Sequence, residues 1–189
     1  MFYIFPKIIK PEVCNEIVKD CISNDLELAA VGTTKTPRDD PKIRKASVYF
    51  VPTSQKNNNA NKIAWGFLKK ANELLFHYDL TYFQQIQFTK YSGGDFYDWH
   101  VDTYETNEPN STRKLSMSLM LTDPDTFTGG EFQFYNGGRS FEDDEQMKKE
   151  LKTQGTIVVF DSRDFHRVTP VTKGTRHSIV CWATGVPFK

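Results

Sequence analysis

The chain has 189 residues, of which 38% are hydrophobic and 14% aromatic, and its 24 basic and 24 acidic residues cancel. This composition favours one folded domain over residues 1–189. A neutral chain without a basic run argues against constitutive nucleic-acid binding, and no stretch approaches the roughly 20 apolar residues of a transmembrane helix. We find no signal-peptide pattern, and we expect the three cysteines to be reduced and buried in a cytoplasmic protein.

The N-terminal 80 residues are predicted to be rich in helix. A short strand at 1–9 precedes a helix at 10–23, where Pro11 lies in the first turn and apolar residues follow helical spacing. A second strand is predicted at 45–52, and residues 61–80 predict the longest helix. We therefore expect residues 1–80 to form a helical support for the rest of the fold.

From residue 82 the pattern changes to short strands with alternating polarity. The segment 114–122 places Leu115, Met117, Leu119 and Leu121 on one face, with polar or small side chains between them. Residues 165–171 and 176–182 are predicted to pair as a hairpin around TKGT, and the charged segment 141–153 is predicted to be a surface excursion with helical character. The whole pattern predicts a mainly β fold with N-terminal helices (α+β), whose jelly-roll core, a double-stranded β-helix, spans 81–185. The other strands are predicted at 82–91, 128–138 and 155–161.

Two of the four histidines lie in a pattern that suits a metal. In an extended strand, His100 and Asp102 of the stretch DFYDWHVD project to the same side. His166 follows a strongly apolar strand, where the chain would return across the first sheet. Two imidazoles and one carboxylate occupy one face of an octahedron and leave positions open, as in non-haem Fe(II) oxygenases.

A positively charged side chain, that of Arg176, is predicted to lie beside this cluster. If TKGT turns a hairpin, Arg176 lies on the strand next to His166, with Ser178 on the same face. A guanidinium can hold a carboxylate through two hydrogen bonds, so the pairing suits a co-substrate that chelates the metal at one end and carries a carboxylate at the other. 2-Oxoglutarate is such a molecule. Tyr91, on the strand before the metal ligands, is placed to reach the same pocket.

The stretches YSGGDFYDWHVD, TGGEFQFY and FHRVTPVTKGTRHSIVCW together resemble the Fe(II)- and 2-oxoglutarate-dependent oxygenases of the prolyl 4-hydroxylase type. The resemblance is closest to the small microbial PKHD-type hydroxylases and covers roughly residues 82–185. It implies His100, Asp102 and His166 as iron ligands, also counted as the catalytic residues. It further implies Arg176 as the residue that binds the distal carboxylate of 2-oxoglutarate. Tyr91 and Trp182 match aromatic residues that line the co-substrate pocket.

The chain also departs from the family pattern. Some animal prolyl hydroxylases carry a second tyrosine on the strand SMSLML, where this chain offers Met120. PKHD-type proteins often continue past the last strand with a helical extension, whereas this chain ends at Lys189. A related class of nucleic-acid demethylases commonly has an arginine six residues after the first, but position 182 is Trp. Nucleic acid is therefore not expected as a partner.

The resemblance implies a dioxygenase that uses Fe(II), 2-oxoglutarate and O2, with ascorbate as an optional reductant. It would hydroxylate an unactivated C–H bond, foremost that of a prolyl residue in a protein or peptide, and release succinate and CO2. The alternatives are hydroxylation of a free amino acid or small metabolite, a zinc-dependent hydrolase, and a catalytically inactive jelly-roll binding module. Residues 52–61 and 103–112 are candidate lids, and the oligomeric state stays open.

Three further expectations concern residues near the motifs. His77 is expected to end a helix, and His177 to face away from the pocket because it alternates with Arg176. The glycine pairs 93–94 and 129–130 are expected at turns or bulges. The aromatic residues Phe96, Tyr97 and Trp99 suit either a core or a substrate-lining role.

Overall fold

The fold was analysed in a computed structural model, which describes residues 1–33, 36–38, 40–53, 59–103, 110–136, 139–140 and 145–188. Most of its elements are short strands. The helices are α1 (Pro11–Ile22), α2 (Asn59–Ala71) and α3 (Glu145–Lys152). The strands in chain order are β1 (Phe2–Phe5), β2 (Glu27–Leu28), β3 (Val31–Thr33), β4 (Thr36–Arg38), β5 (Arg44–Lys45), β6 (Ser47–Phe50), β7 (Leu80–Phe83), β8 (Gln87–Ser92), β9 (Phe96–His100), β10 (Thr112–Met120), β11 (Thr128–Gly129), β12 (Phe132–Asn136), β13 (Arg139–Ser140), β14 (Ile157–Asp161), β15 (His166–Val168), β16 (Val171–Lys173) and β17 (Thr175–Gly185).

Two antiparallel sheets form the body of the fold. The large sheet has the order β1-β14-β10-β17-β8-β6-β2, with β7 also paired to β17, and the small sheet has the order β13-β12-β15-β9-β5. This arrangement confirms the mainly β, jelly-roll prediction. Among the described residues, no helix is long and apolar enough to cross a membrane.

The two faces of the large sheet differ in polarity. On its outer face Leu119, Ile179 and Phe88 are fully buried in a core that the side chains of α1 and α2 complete. Cross-strand pairing keeps them together, because Leu119 lies opposite Ile179 and Ile179 opposite Phe88. The neighbouring positions, which point inward between the sheets, include Ser118 and Ser178. The alternation predicted for β10 is confirmed, and its polar side lines the interior.

The predicted hairpin over 165–182 is wrong. Strand β15 pairs with β9 and β12 in the small sheet, whereas β17 pairs with β8 and β10 in the large sheet. Between them β16 pairs with β11, so the chain crosses from one sheet to the other rather than turning back within one. Pro170 lies at this crossing and cannot donate a backbone hydrogen bond to a ladder, which suits a segment that leaves a sheet.

The N-terminal region contributes more than helical support. Strand β1 extends the large sheet beside β14, β6 pairs with β8, and β5 pairs with β9 of the small sheet. The long predicted helix ends as an α-helix at Ala71 and continues as a π-helical turn at Asn72–Phe76. His77 ends this turn in the left-handed conformation, with φ of 56°, as expected for a helix-end residue. The single-domain assignment stays a prediction.

Candidate metal centre and its cavity

The three candidate metal ligands meet at one end of the small sheet. His166 lies directly opposite His100 in the register of β15 and β9, and their ring centroids are 4.1 Å apart. Asp102 follows the end of β9, with its carboxylate oxygens 3.6 Å from Nε2 of His100 and 3.5 Å from Nε2 of His166. One donor atom from each residue lies within 4.8 Å of the others, so the three could hold a metal ion.

Backbone hydrogen bonds orient both imidazoles. Nδ1 of His100 lies 2.7 Å from the carbonyl oxygen of Asp98, and Nδ1 of His166 lies 2.9 Å from that of Asp164. Since a carbonyl can only accept, each Nδ1 carries a proton, and Nε2 is the ring nitrogen that faces Asp102. A partner on the second ring nitrogen is the usual way in which proteins orient a metal-binding histidine.

For His100 and Asp102, electrostatics favours the protonation states that a bound cation needs. Burial and the nearby His166 lower the pKa of His100 to about 3, so the imidazole is neutral near pH 7. Burial by itself would raise the pKa of Asp102, but His166, His100 and Arg113, with the indole of Trp182 close by, lower it to about 2. Asp102 is therefore an ionised carboxylate, only 4% exposed, among cationic and dipolar groups.

Arg176 faces this cluster from the opposite sheet. Its side chain is 1% exposed, its Nη1 donates to Oγ of Ser178 at 3.0 Å, and Nε has no hydrogen-bond partner among the described residues. Burial lowers its pKa to about 10, which still leaves the guanidinium charged at neutral pH. No described carboxylate forms an ion pair with it. A buried cation with spare donors is costly unless an anion pairs with it, so the geometry suits a bound carboxylate.

The remaining predicted residues line the same cavity, which has a volume of about 280 Å³. Tyr91 lies opposite Arg176 in the register of β17 and β8, and its ring centroid is 5.5 Å from the guanidinium carbon. Trp182 is 7% exposed and lines the cavity beside Asp102. All six predicted site residues are thus brought together. His166 and Arg176 meet across the interior, however, and not on neighbouring strands as the predicted hairpin required.

Three residues that the motifs did not single out for the site also line the cavity. Tyr97 stacks on His100 with ring centroids 3.4 Å apart, and the guanidinium of Arg44 lies 4.5 Å from the centre of the Tyr97 ring. Nε of Arg44 is buried and has no hydrogen-bond partner among the described residues. Arg113 lies 3.8 Å above the ring of Trp182 and donates from Nε to Gln84. Tyr97 could be suspected from its aromatic run, but nothing local to the sequence indicates the two arginines.

The neighbouring expectations have mixed outcomes. His177 points away from the cavity, as expected. Its ring stacks on Phe88, and its Nδ1 is hydrogen-bonded to Oγ1 of Thr122 at 3.2 Å. Met120 is buried beside a small void of about 10 Å³ that also borders Arg176. Most of the proposed lid segments, at 54–58 and 104–109, lies outside the described residues.

A sequence model of the 2OG-Fe(II) oxygenase superfamily matches residues 86–184, slightly more than half of the chain. A PKHD-type hydroxylase of Shewanella sp. strain ANA-3 is 33% identical over 98 residues, which cover 50% of this chain and 40% of that protein. The match thus spans well under half the length of that curated relative.

Solved structures share the fold at low sequence identity. A Pseudomonas putida prolyl-4-hydroxylase has a TM-score of 0.68 at 18% identity, covering 96% of this chain and 91% of that one. A Trichoplax adhaerens prolyl hydroxylase, solved with a hypoxia-inducible-factor peptide, has a TM-score of 0.71 at 18% identity, covering 96% of this chain and 82% of that one. The family match, together with the His-Asp-His cluster and the buried arginine, leads to one conclusion: the chain belongs to the 2OG-Fe(II) oxygenase superfamily, whose members use Fe(II), 2-oxoglutarate and O2.

Proposed function

We propose that this protein is a dioxygenase that hydroxylates an unactivated C–H bond of a prolyl residue in a protein or peptide and releases succinate and CO2. One observation carries the proposal: a His-Asp-His cluster faces, across one cavity, a buried, charged arginine that has no carboxylate partner among the described residues. A zinc-dependent hydrolase could use the same three ligands but would leave the arginine without a role.

The roles of the residues follow from their chemistry. His100 and His166 would bind Fe(II) through Nε2, and Asp102 through its carboxylate. Arg176 would hold the distal carboxylate of 2-oxoglutarate, and Tyr91 and Trp182 would form the walls beside it. Fe(II) and 2-oxoglutarate, once bound, would supply the activation of O2 by which one oxygen atom enters the substrate and the other enters succinate.

The protein's own contribution is orientation and the exclusion of water. The carbonyls of Asp98 and Asp164 hold both imidazoles in the tautomer that leaves Nε2 free. The Tyr97 ring covers one face of His100, which limits the access of water to that side of the centre. The buried guanidinium would hold the distal carboxylate of the co-substrate and so would restrict how the co-substrate is oriented in the cavity.

A prolyl peptide substrate is supported by two kinds of relative. PKHD-type hydroxylases match the sequence, and a fold neighbour was solved with a peptide bound. At the cavity mouth, Leu28 is 76% exposed and Phe50 46% exposed, which offers apolar surface to a chain lying across the opening. A second candidate, a free amino acid or small metabolite, is favoured by Arg44, whose buried Nε lacks a partner among the described residues and could bind an acidic group. We also propose a cytoplasmic location, because Cys14, Cys21 and Cys181 are free thiols, as expected in a reducing compartment.

The first experiment titrates metal-free protein with Fe(II) and 2-oxoglutarate without oxygen and follows the visible metal-to-ligand charge-transfer band. We expect a band that needs both additions, is lost in His166→Ala and is weakened in Arg176→Ala. Folded wild-type protein that gives no band and retains zinc instead would overturn the proposal in favour of a hydrolase.

The second experiment measures succinate with and without candidate substrates in air. Proline-containing peptides are expected to raise succinate release above the rate with 2-oxoglutarate alone, with one hydroxyl added per succinate formed. Stimulation by free amino acids but not by peptides would move the substrate to the second candidate. A charge-transfer band without any stimulated turnover would identify an inactive binding module.

A further inference from the structure

The four-residue turn at 161–164 links the two sheets and contacts two of the three candidate metal ligands. It joins the end of β14, in the large sheet, to His166 at the start of β15, in the small sheet. The carbonyl of Ser162 accepts hydrogen bonds from the backbone N–H groups of Asp102 and Thr103, both at 2.8 Å. The carbonyl of Asp164 lies 2.9 Å from Nδ1 of His166. A displacement of this turn therefore moves Asp102 and His166 together.

The Asp161 side chain holds the turn in shape. Its Oδ1 accepts hydrogen bonds from the backbone N–H and Nε of Arg163, both at 2.9 Å, and its Oδ2 accepts one from Nη2 of Arg163 at 2.7 Å. Its carbonyl accepts the N–H of Asp164, also at 2.9 Å. Asp161 itself is only 4% exposed, whereas the side chain of Arg163 is 51% exposed, so these bonds are partly shielded from water.

A tyrosine from outside the jelly roll completes this network. The hydroxyl of Tyr78 donates to Oδ2 of Asp161 at 2.5 Å and lies 3.2 Å from Nη2 of Arg163. Tyr78 follows the π-helical turn after α2, and its backbone is held at both the N–H and the carbonyl by the side chain of Asn72, each at 2.9 Å. The segment that follows α2 thus contacts the turn through the hydroxyl group of Tyr78.

We propose that Tyr78 and Asp161 are positioning residues for the metal centre, which fix Asp102 and His166 through the turn at 161–164. The proposal rests on the proposed function, since it assumes that these two residues bind Fe(II). Among the described residues that line the cavity or form the candidate metal cluster, neither Tyr78 nor Asp161 is found. They act by restricting the turn whose carbonyls orient the ligands, and partners of this kind commonly change metal affinity about 10- to 100-fold.

The test measures the dissociation constant of Fe(II) alone, by anaerobic competition with a chromogenic chelator, in wild type, Tyr78→Phe and Asp161→Asn. Tyr78→Phe removes one hydroxyl and keeps the ring. The matched control is Tyr3→Phe, because Tyr3 of β1 packs against the helix-covered core and forms no hydrogen bond with the turn among the described residues. Unfolding by urea is followed in parallel for all four proteins, and Fe(II) binding is referred to the folded fraction.

We expect Fe(II) to bind about tenfold more weakly to Asp161→Asn and severalfold more weakly to Tyr78→Phe, with Tyr3→Phe equal to wild type. The charge-transfer band with 2-oxoglutarate should also shift in both variants, which a loss of stability alone would not cause. Wild-type Fe(II) affinity and an unshifted band in folded Tyr78→Phe and Asp161→Asn would overturn the inference and leave the proposed function intact. Failure of wild type itself to bind Fe(II) would instead overturn the proposed function.

Discussion

At the scale of single residues, Arg176 is placed for ligand binding at a cost to the free protein. The charge is buried and has Ser178 as its hydrogen-bond partner, with no carboxylate beside it among the described residues. We expect Arg176→Gln to weaken 2-oxoglutarate binding at least about 30-fold, since truncating one partner of a buried charge pair costs about 2–5 kcal/mol. Fe(II) binding should change little, because Arg176 lies on the opposite sheet. Titration of the charge-transfer band measures both constants.

The same substitution should not destabilise the ligand-free fold. No described residue is a counter-ion to Arg176, and removing such a buried charge relieves a desolvation cost, so the urea midpoint of Arg176→Gln should equal or exceed that of wild type. Arg167→Gln is the control, because Arg167 bonds to Gln133 and lies 4.5 Å from the Trp99 ring, outside the cavity. A large loss of stability in Arg176→Gln alone would indicate that the arginine supports the core.

Gly130 makes room for Arg176. A Cβ at this position would lie 2.9 Å from Cδ of Arg176 and 2.8 Å from Cγ2 of Val171, and φ is +60°. We expect Gly130→Ala to displace the guanidinium and to weaken 2-oxoglutarate binding about tenfold or more, as seen by the same titration. Gly93→Ala separates contact from backbone strain, because Gly93 has φ of +49° and nothing within 4 Å of its Cβ. Equal losses in both variants would contradict the steric explanation.

His177 should make stability depend on pH in a defined window. Burial, with Lys90 and Arg176 nearby, lowers its pKa to about 4, below the value of about 6.5 in an unfolded chain. Between about pH 6.5 and pH 4, His177 therefore binds a proton in the unfolded chain but stays neutral in the folded protein. Stability contributed by neutral His177 is complete above about pH 6.5 and falls towards pH 4, by at most about 1.4 kcal/mol per pH unit. Urea unfolding of wild type and His177→Phe at pH 7.5 and 5.0 checks this, and wild type should lose more stability.

At the scale of elements, strand β10 separates stability from binding between its two faces. Leu119 is fully buried against the helices, so Leu119→Ala should cost about 2–5 kcal/mol of unfolding free energy. Ser118 lines the cavity, so Ser118→Leu should block 2-oxoglutarate while the fold persists. Urea unfolding and the charge-transfer titration, applied to both variants, test the division. Loss of binding in folded Leu119→Ala would contradict it.

The elements also show what sequence patterns can and cannot predict. A period of two residues fixes which side chains of a strand share a face, so the outer core and the polar inner side of β10 were predictable. The period does not identify the partner strand. That is why residues 165–182 looked like a hairpin, although β15 and β17 lie in different sheets. The end of the α-helix at Ala71 was equally hidden, because the π-helical turn that follows contains the apolar residues Leu74, Leu75 and Phe76 and so continues the apolar pattern in sequence.

At the scale of the whole molecule, the two sheets contribute different halves of the site. The small sheet supplies His100 and His166, and Asp102 lies just after its strand β9. The large sheet supplies Arg176 and Tyr91. These residues could be predicted because each lies in a motif with a clear chemical pattern. Arg44 and Arg113 could not be, since their side chains enter the cavity only after edge strand β5 and the start of β10 are paired.

The uneven faces of the large sheet have a consequence for how this fold can change over generations. The packing that stabilises the sheet lies mostly on its helix-covered face, where Leu119, Ile179 and Phe88 are fully buried. Their neighbours along the strands, Ser118, Val180 and Gln87, face the cavity. Inner and outer positions alternate along the same strands. Substitutions at the inner positions can therefore change the cavity lining, and with it the substrate, without disturbing the core packing that stabilises the fold. Libraries randomised at the three inner positions should retain folded protein far more often than libraries at the three outer ones.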